Sequence, residues 1–187
     1  MGMLNALKQR GFRAAFVILA ALFAVTALAQ ESTSAQEYQL GSGDKILISV
    51  YDEADLTMET ILSDSGVINY PFLGELKVSG LTVSGLERMV VKGLKGDYLV
   101  NPNVHVSILE YRPFFINGEV EKPGGYPFQP GLTIGKAAAL AEGFTERASE
   151  NKIFIIRGDD PAQAKQKAAL NTLLRPGDIV TVEQSFF

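Results

Sequence analysis

The chain of 187 residues has no cysteine and only one histidine, His105. Without thiols there can be no disulfide, no thiolate nucleophile or metal ligand, and no thioether-linked lipid at a processed N-terminus. A lone histidine excludes multi-histidine metal centres. His105 falls in the polar register of a predicted strand and reads as a surface or interface residue. No Gly-x-Ser-x-Gly elbow is there to activate a serine, and no pair of acids is singled out for glycoside chemistry. The acidic stretches Asp52-Glu53 with Asp55, and Asp159-Asp160, lack calcium-loop spacing and read as solvated turns. Gly41-Ser42-Gly43 lacks the spacing and the following helix of a phosphate loop. The inventory therefore points away from an enzyme, and no cofactor or metal is expected.

Cations are scarce too, and three of them sit together at the start. Lys8, Arg10 and Arg13 precede an uncharged apolar run, Ala14 to Ala29, that closes on Ala27-Leu28-Ala29. This is a secretory signal pattern with cleavage expected between Ala29 and Gln30. The run is shorter than the ~20 residues a spanning helix needs, which favours a cleaved leader over an uncleaved anchor. The leader holds three of the 17 Lys+Arg and none of the 21 Asp+Glu, so the mature chain would carry 14 cations against 21 anions, about −7. An acidic surface of this kind argues against nucleic acid as a partner. The 158 residues after position 29 suffice for a core that needs no disulfide staples.

Residues 30–37 are a polar linker without periodicity, expected to be extended or disordered. Beyond it, Leu40-Gly41-Ser42-Gly43-Asp44 leads into Ile46, Ile48 and Val50 at period two. A related phrase returns late in the chain, where Leu174-Arg175-Pro176-Gly177-Asp178 leads into Ile179 to Val182. In both, a Gly-Asp pair makes a turn and the aspartate can cap its own backbone. Two copies suggest two modules, 38–111 and 112–187, with the boundary at Tyr111-Arg112-Pro113. In the first module, Val67 to Tyr70, Pro71-Phe72-Leu73-Gly74 and Glu75 to Val78 read as a hairpin. Thr82 then introduces a helix with Val83, Leu86, Val90 and Leu94 on one stripe, and Ser84 with Glu87 would form a capping box if that helix starts later. After Asn101-Pro102-Asn103, Val104, Val106 and Ile108 alternate with His105, Ser107 and Leu109 as a half-buried strand.

The second module opens on Phe114 to Phe144, where strand, turn, strand and capped helix follow in order. Lys122-Pro123-Gly124-Gly125 is predicted as a tight turn, with Pro123 presetting φ and Gly124 taking the positive φ of the third position. Tyr126-Pro127-Phe128 resumes an extended run. After Gly131, Thr133 is the predicted N-cap of a helix ended by Gly143 at C′. Ile153 to Arg157 is a strand, and 162–174 fits either a helix or a short strand with a turn. The expected fold class is α+β, two small β-rich modules each with one main helix, the second β-grasp-like. The aromatics Tyr70, Phe72, Tyr98, Tyr111, Tyr126 and Phe128 could stack on sugar rings or serve as core and subunit interface. Phe186-Phe187 resembles the aromatic end of a membrane-barrel strand, but so few strands cannot close a barrel.

The ordered set of motifs resembles the polysaccharide export protein family of outer-membrane exporters. Gly43 and Asp44, the Pro71-x-Leu73-Gly74 hairpin and the Pro102-x-Val104-x-Val106 strand are similar to its export domain. Gly118, Glu119, Pro123, Gly124, Gly131, Thr133, Gly143, Arg157 and the closing Pro176-Gly177-Asp178 resemble the soluble-ligand-binding β-grasp (SLBB) module that follows it. The resemblance implies a periplasmic ring, often an octamer, that passes a secreted polysaccharide toward the cell exterior, together with an inner-membrane copolymerase. Family members that line the outer-membrane pore carry a lipidated cysteine and a C-terminal amphipathic helix. Here there is no cysteine, and the chain stops five residues after Val182. The expectation is thus a short periplasmic member, associated with the outer membrane, that hands polymer to a separate β-barrel. A monomeric periplasmic module binding a saccharide or other small ligand is the alternative.

Overall fold

The computed structural model describes residues 37–185. The expected leader with its Ala29/Gln30 cleavage point, the linker up to residue 36, and Phe186-Phe187 lie outside the described residues. Among the described residues no helix is long and apolar enough to cross a membrane.

The first strand, β1 (Lys45–Val50), buries every second residue, as its period-two pattern requires. It is the centre of a three-stranded antiparallel sheet, flanked by β2 (Met58–Ile61) and β5 (Val104–Glu110). The Pro71 turn closes a separate hairpin of β3 (Val67–Tyr70) and β4 (Gly74–Lys77), with Tyr70 paired to Gly74. Helix α1 (Val83–Leu94) starts on Thr82, whose side chain accepts from the Gly85 N–H at 3.1 Å. The helix thus takes the earlier of its two available starts. Glu87 turns to β5 instead of forming a capping box, accepting from the Val106 N–H at 2.9 Å. The stripe of Leu86, Val90 and Leu94 is fully buried, each side chain contributing about 2 kcal/mol. With Ile46, Ile48, Ile68, Tyr70, Val104 and Val106, it makes one hydrophobic core.

A second core draws on Phe114, Ile116, Ile134, Ala137, Ile153, Ile155, Val180 and Val182. Its sheet runs β7 (Gly124–Tyr126), β6 (Phe114–Gly118), β10 (Ile179–Gln184), β8 (Ala148–Ile156) and β9 (Gln166–Ala168). β6 and β10 are parallel and the other pairs antiparallel, with α2 (Ile134–Leu140) packed on one face. The fold is α+β, and the arrangement of this module is compatible with a β-grasp. The ambiguous stretch 162–174 resolves as the short strand β9, followed by a turn and not a helix.

Two local expectations are corrected. Gly124 does not occupy the positive-φ corner of a tight turn; it is already the first residue of β7, reached by a five-residue loop. The positive φ falls on Gly118 (+84°), because β6 must leave the sheet against the backbone of β10. At the end of α2, the C′ position belongs to Glu142 (φ +64°), and Gly143 (φ +100°) follows at C″. The Gly143 N–H bonds the Ala138 carbonyl and the Glu142 N–H that of Ala139, the two bonds of a Schellman end.

Candidate functional site

The two Gly-Asp turns are built alike. Asp44 and Asp178 are completely buried, and each accepts from a backbone N–H three residues earlier, Gly41 at 2.8 Å and Arg175 at 2.7 Å. Each also accepts from a second backbone N–H, Arg112 at 2.9 Å and Gly158 at 3.1 Å. Each is paired with an arginine: Asp44 with Arg112 at 3.4 Å and Asp178 with Arg157 at 2.7 Å. Buried carboxylates persist only with such partners.

Arg112 does more than neutralise Asp44. Its Nε donates to the Pro176 carbonyl at 3.2 Å, so one side chain ties the turn of the first core to the turn of the second. The glycines around it are there for room. A Cβ at Gly41 would overlap Arg112 Nη1, and one at Gly177 would lie 2.9 Å from its Nε. Tyr111 adds edge-on ring contacts to Tyr38 (5.1 Å) on one side and Phe128 (5.4 Å) on the other. Tyr38 completes the joint by donating its hydroxyl to both Asp44 oxygens, at 2.7 and 2.6 Å, with its ring under the Arg112 guanidinium.

Burial, and then the Asp44 carboxylate, push the Tyr38 phenol far above the ordinary tyrosine value of 10.0, and burial raises Tyr70 in the same direction. The folded chain keeps these protons where the unfolded chain loses them. Their contribution is therefore intact below pH 10.0 and declines as pH rises beyond it. Tyr38→Phe is expected to lower stability at pH 7 by about 1–3 kcal/mol through loss of a hydrogen bond to a charged group. It should also flatten the alkaline decline, as read by urea unfolding at a series of pH values above 9. An unchanged alkaline slope would refute this role for Tyr38.

The end of the first module away from this joint is different in character. There β1 ends, β5 begins and α1 runs out, and the Tyr51 N–H bonds the Asn103 carbonyl at 3.0 Å. Large apolar side chains stand in solvent: Tyr51 is 73% exposed, Val100 90%, Phe72 65% and Tyr98 47%. Phe72 and Tyr98 stack with ring centroids 5.0 Å apart, and the Tyr98 hydroxyl donates to the Phe72 carbonyl at 3.2 Å. Phe72 holds φ at +63°, a left-handed conformation strained for a residue with a Cβ. Beside it is an open cleft of about 400 Å³ lined by Met58, Asn69, Tyr70, Pro71, Phe72 and Gly74.

The remaining sequence candidates divide between structure and surface. Tyr70 belongs to the core, its hydroxyl donating to the Leu56 carbonyl at 2.7 Å. Tyr126 is half-buried, stacks on Phe114 and donates to the Lys122 carbonyl. Leu73 packs against Gly93 of α1, where a Cβ would meet it at 2.7 Å, and Gly74 (φ +68°) lets the hairpin turn back. Gly43 (φ +89°) shapes the first Gly-Asp turn, and Pro102 is half-buried ahead of β5. In the second module, Glu119 accepts from the Thr145 hydroxyl at 2.6 Å, and Thr133 caps α2 through the Lys136 N–H. Gly131 (φ +80°) precedes that cap, Pro123 is exposed in the β6–β7 loop, and Pro176 is buried under the second Gly-Asp turn. His105 is exposed, with Nδ1 3.2 Å from Glu87. Among the described residues, no three His, Asp or Glu side chains gather as a metal site would require. Arg112 and Tyr38 escaped the sequence reading. In the sequence the two aspartates read as turn residues, and their burial, which calls for a cation, is visible only in the structure.

Residues 32–109 match the polysaccharide biosynthesis/export protein family, and residues 113–164 match the SLBB domain. The chain is 32% identical over 155 residues to the exopolysaccharide production protein ExoF of Rhizobium meliloti (strain 1021), an alignment covering 74% of this chain and 36% of that protein. It is 28% identical over 184 residues to the EPS I polysaccharide export outer membrane protein EpsA of Ralstonia nicotianae, covering 80% of this chain and 48% of that one. Over 92 residues it is 30% identical to the polysialic acid transport protein KpsD of Escherichia coli, covering 48% and 16%. The chain thus spans half or less of the length of these relatives. The chain carries a polysaccharide biosynthesis/export domain that leads directly into an SLBB domain, and the relatives aligned with it are named for exopolysaccharide production and polysaccharide export.

Proposed function

We propose that this protein is a periplasmic subunit of a polysaccharide export complex, and that copies of it form or complete a ring conduit toward the outer membrane. Such a subunit needs no bond chemistry. It needs two different surfaces that meet head to tail in a rotation that closes.

The observation that carries this reading is an apolar row on the outward face of the second sheet, beside a first sheet whose outward face is mixed. In the first sheet, Ile61 and Leu47 share the face turned away from the core with Ser49, Ser107, His105 and the ion pairs of Lys45 with Glu59 and Glu110. In the second sheet, Phe115, Ile179 and Ile156 form one cross-strand row on the face opposite the buried Ile116, Val180 and Ile155. A two-layer module with its helix on one face gains by covering the other, and a neighbouring copy offers a matching apolar surface. The half-buried Arg112 joint holds the two sheets in a fixed relation, which ring closure requires.

Light scattering on the mature chain, alone and with its inner-membrane copolymerase, is expected to show a discrete oligomer. Phe115→Lys should dissociate it without unfolding the subunit, since Phe115 is 46% exposed. Monomer under both conditions would sink the ring. Deletion of the gene should abolish secreted polysaccharide, with a separate outer-membrane β-barrel completing the route. A monomeric saccharide-binding module is the second reading, favoured by the exposed Phe72–Tyr98 pair. Saturable oligosaccharide binding by a species that never associates would select it.

A further inference from the structure

We propose that Phe72 and Tyr98, with the cleft beside them, form a contact site for the apolar ring face of a neutral hexose in the exported chain. This rests on the export reading and adds to it a place where polymer touches the subunit.

Three observations converge. The first is that the aromatic pair is held in solvent at a structural cost. At φ +63° the hairpin tip would suit glycine or asparagine, and glycine does occupy the next positive-φ position, Gly74. A phenylalanine there, 65% exposed, contributes little to the core while straining its own backbone. Such outliers cluster at ligand clamps and other functional sites, and unlike Glu142 at its helix end, Phe72 ends no helix. The second is that the strain is pinned from outside the hairpin. Tyr98, on the loop after α1, stacks on Phe72 and also donates to its carbonyl, fixing the ring's direction before any ligand arrives.

The third is the chemistry beside the rings. A hexose presents a C–H face that packs on an aromatic ring and a rim of hydroxyls that need donors and acceptors. The adjoining cleft, of about 400 Å³, is within the range of small-ligand sites and mixes apolar Met58, Pro71 and Phe72 with the exposed amide of Asn69. That amide supplies both a donor and an acceptor. The flanks argue against a subunit interface at this spot. Lys95 and Asp97, of opposite sign, and Glu75 are all exposed around the pair, whereas the outward face of the second sheet offers the apolar row Phe115, Ile179 and Ile156. Mixed charge at the rim with no excess of cations suits a neutral sugar. The site is open and shallow, so it binds weakly, as a conduit that must also release its cargo requires.

The test is titration of the full mature chain with cellohexaose, a neutral β-linked hexaose, followed by amide chemical shifts, with sorbitol as a hydroxyl-rich control lacking a ring face. Saturable shifts at millimolar concentration, centred on residues 69–74 and 96–99 and absent with sorbitol, are expected. Tyr98→Ala should weaken them at least tenfold, and Phe72→Gly should do the same while leaving the melting temperature unchanged or raised. No saturable shift, shifts centred elsewhere, or equal binding by both variants would overturn the site. In cells, Phe72→Gly should lower polysaccharide secretion with the oligomer intact. If deletion abolishes secretion but Phe72→Gly secretes and binds as the parent does, the site falls and the export reading stands. If deletion leaves secretion untouched, the export reading falls whatever the oligosaccharide does.

Discussion

Asp178→Ala is expected to destabilise the protein by about 3–5 kcal/mol, the cost of removing one partner from a buried ion pair. The loss is large because three donors converge on one carboxylate of zero exposure: the Arg157 guanidinium and the N–H groups of Arg175 and Gly158. Removing it leaves a mostly buried cation and two amides without their acceptor. For a chain of this size the melting temperature should fall by roughly 6–20 °C. Asp178→Asn should fall between, since an amide oxygen still accepts one bond while its NH₂ group faces other donors. Asp44→Ala should cost a similar amount but differ in kind. Asp44 holds Arg112 and Tyr38, and through Arg112 the Pro176 carbonyl, so its loss loosens the joint between the cores. Calorimetry should then show the Asp44→Ala transition broadened or split in two, against a single shifted transition for Asp178→Ala. Single transitions for both variants would show that Arg112 does not couple the modules.

Much of this fold was readable because the signals were local. Period-two alternation over Ile46, Ile48 and Val50 and over Val104 to Ile108 gave the strands of the first sheet, and the stripe Leu86, Val90, Leu94 gave its helix. Thr82 and Thr133 gave both helix starts. The misplacements came where distant backbone decides the outcome. Lys122 to Gly125 has the composition of a tight turn, yet the pairing of β6 with β7 takes Gly124 into the ladder and moves the special backbone geometry to Gly118. In the same way, Glu142 carries the left-handed turn after α2 because the Schellman bonds fix the positions, and glycine follows only at the next residue.

The candidate site was legible in its parts and not in its assembly. Phe72 and Tyr98 both stood out as aromatics that could stack on sugar, but at a sequence separation of 26 nothing says that they meet. Tyr70 stood out equally and lies in the core, since the hairpin's alternation turns it inward beside Ile68 while Phe72 falls at the tip. Arg112 looked like a boundary residue next to Pro113. Its role depends on two turns 64 and 68 residues away in sequence, which only the tertiary structure brings to one side chain.

Gly118→Ala is the second large effect expected, about 3–5 kcal/mol of destabilisation. Two costs add. At φ +84° an L-residue carries about 1–2 kcal/mol of conformational strain. A new Cβ would also overlap the Val182 carbonyl oxygen and lie 3.0 Å from its carbon. Overpacking typically costs about 1–3 kcal/mol when neighbours can yield. Here the neighbour is backbone, and it is held: Val182 pairs with Gly118 in the parallel β6–β10 ladder, and its carbonyl accepts from the Glu119 N–H at 2.9 Å. Relief therefore means opening the only parallel strand pair among the described residues and shifting Glu119, which anchors the loop at Thr145. Gly124→Ala is the matched control. It lies in the same motif with no atom within 4 Å of a built Cβ and no positive φ, so it should be neutral or stabilise by up to about 1 kcal/mol through a less flexible unfolded chain. Urea unfolding of the two variants decides between the tight turn and the loop. Equal effects, or a larger loss at Gly124, would return the positive-φ corner to Lys122 to Gly125.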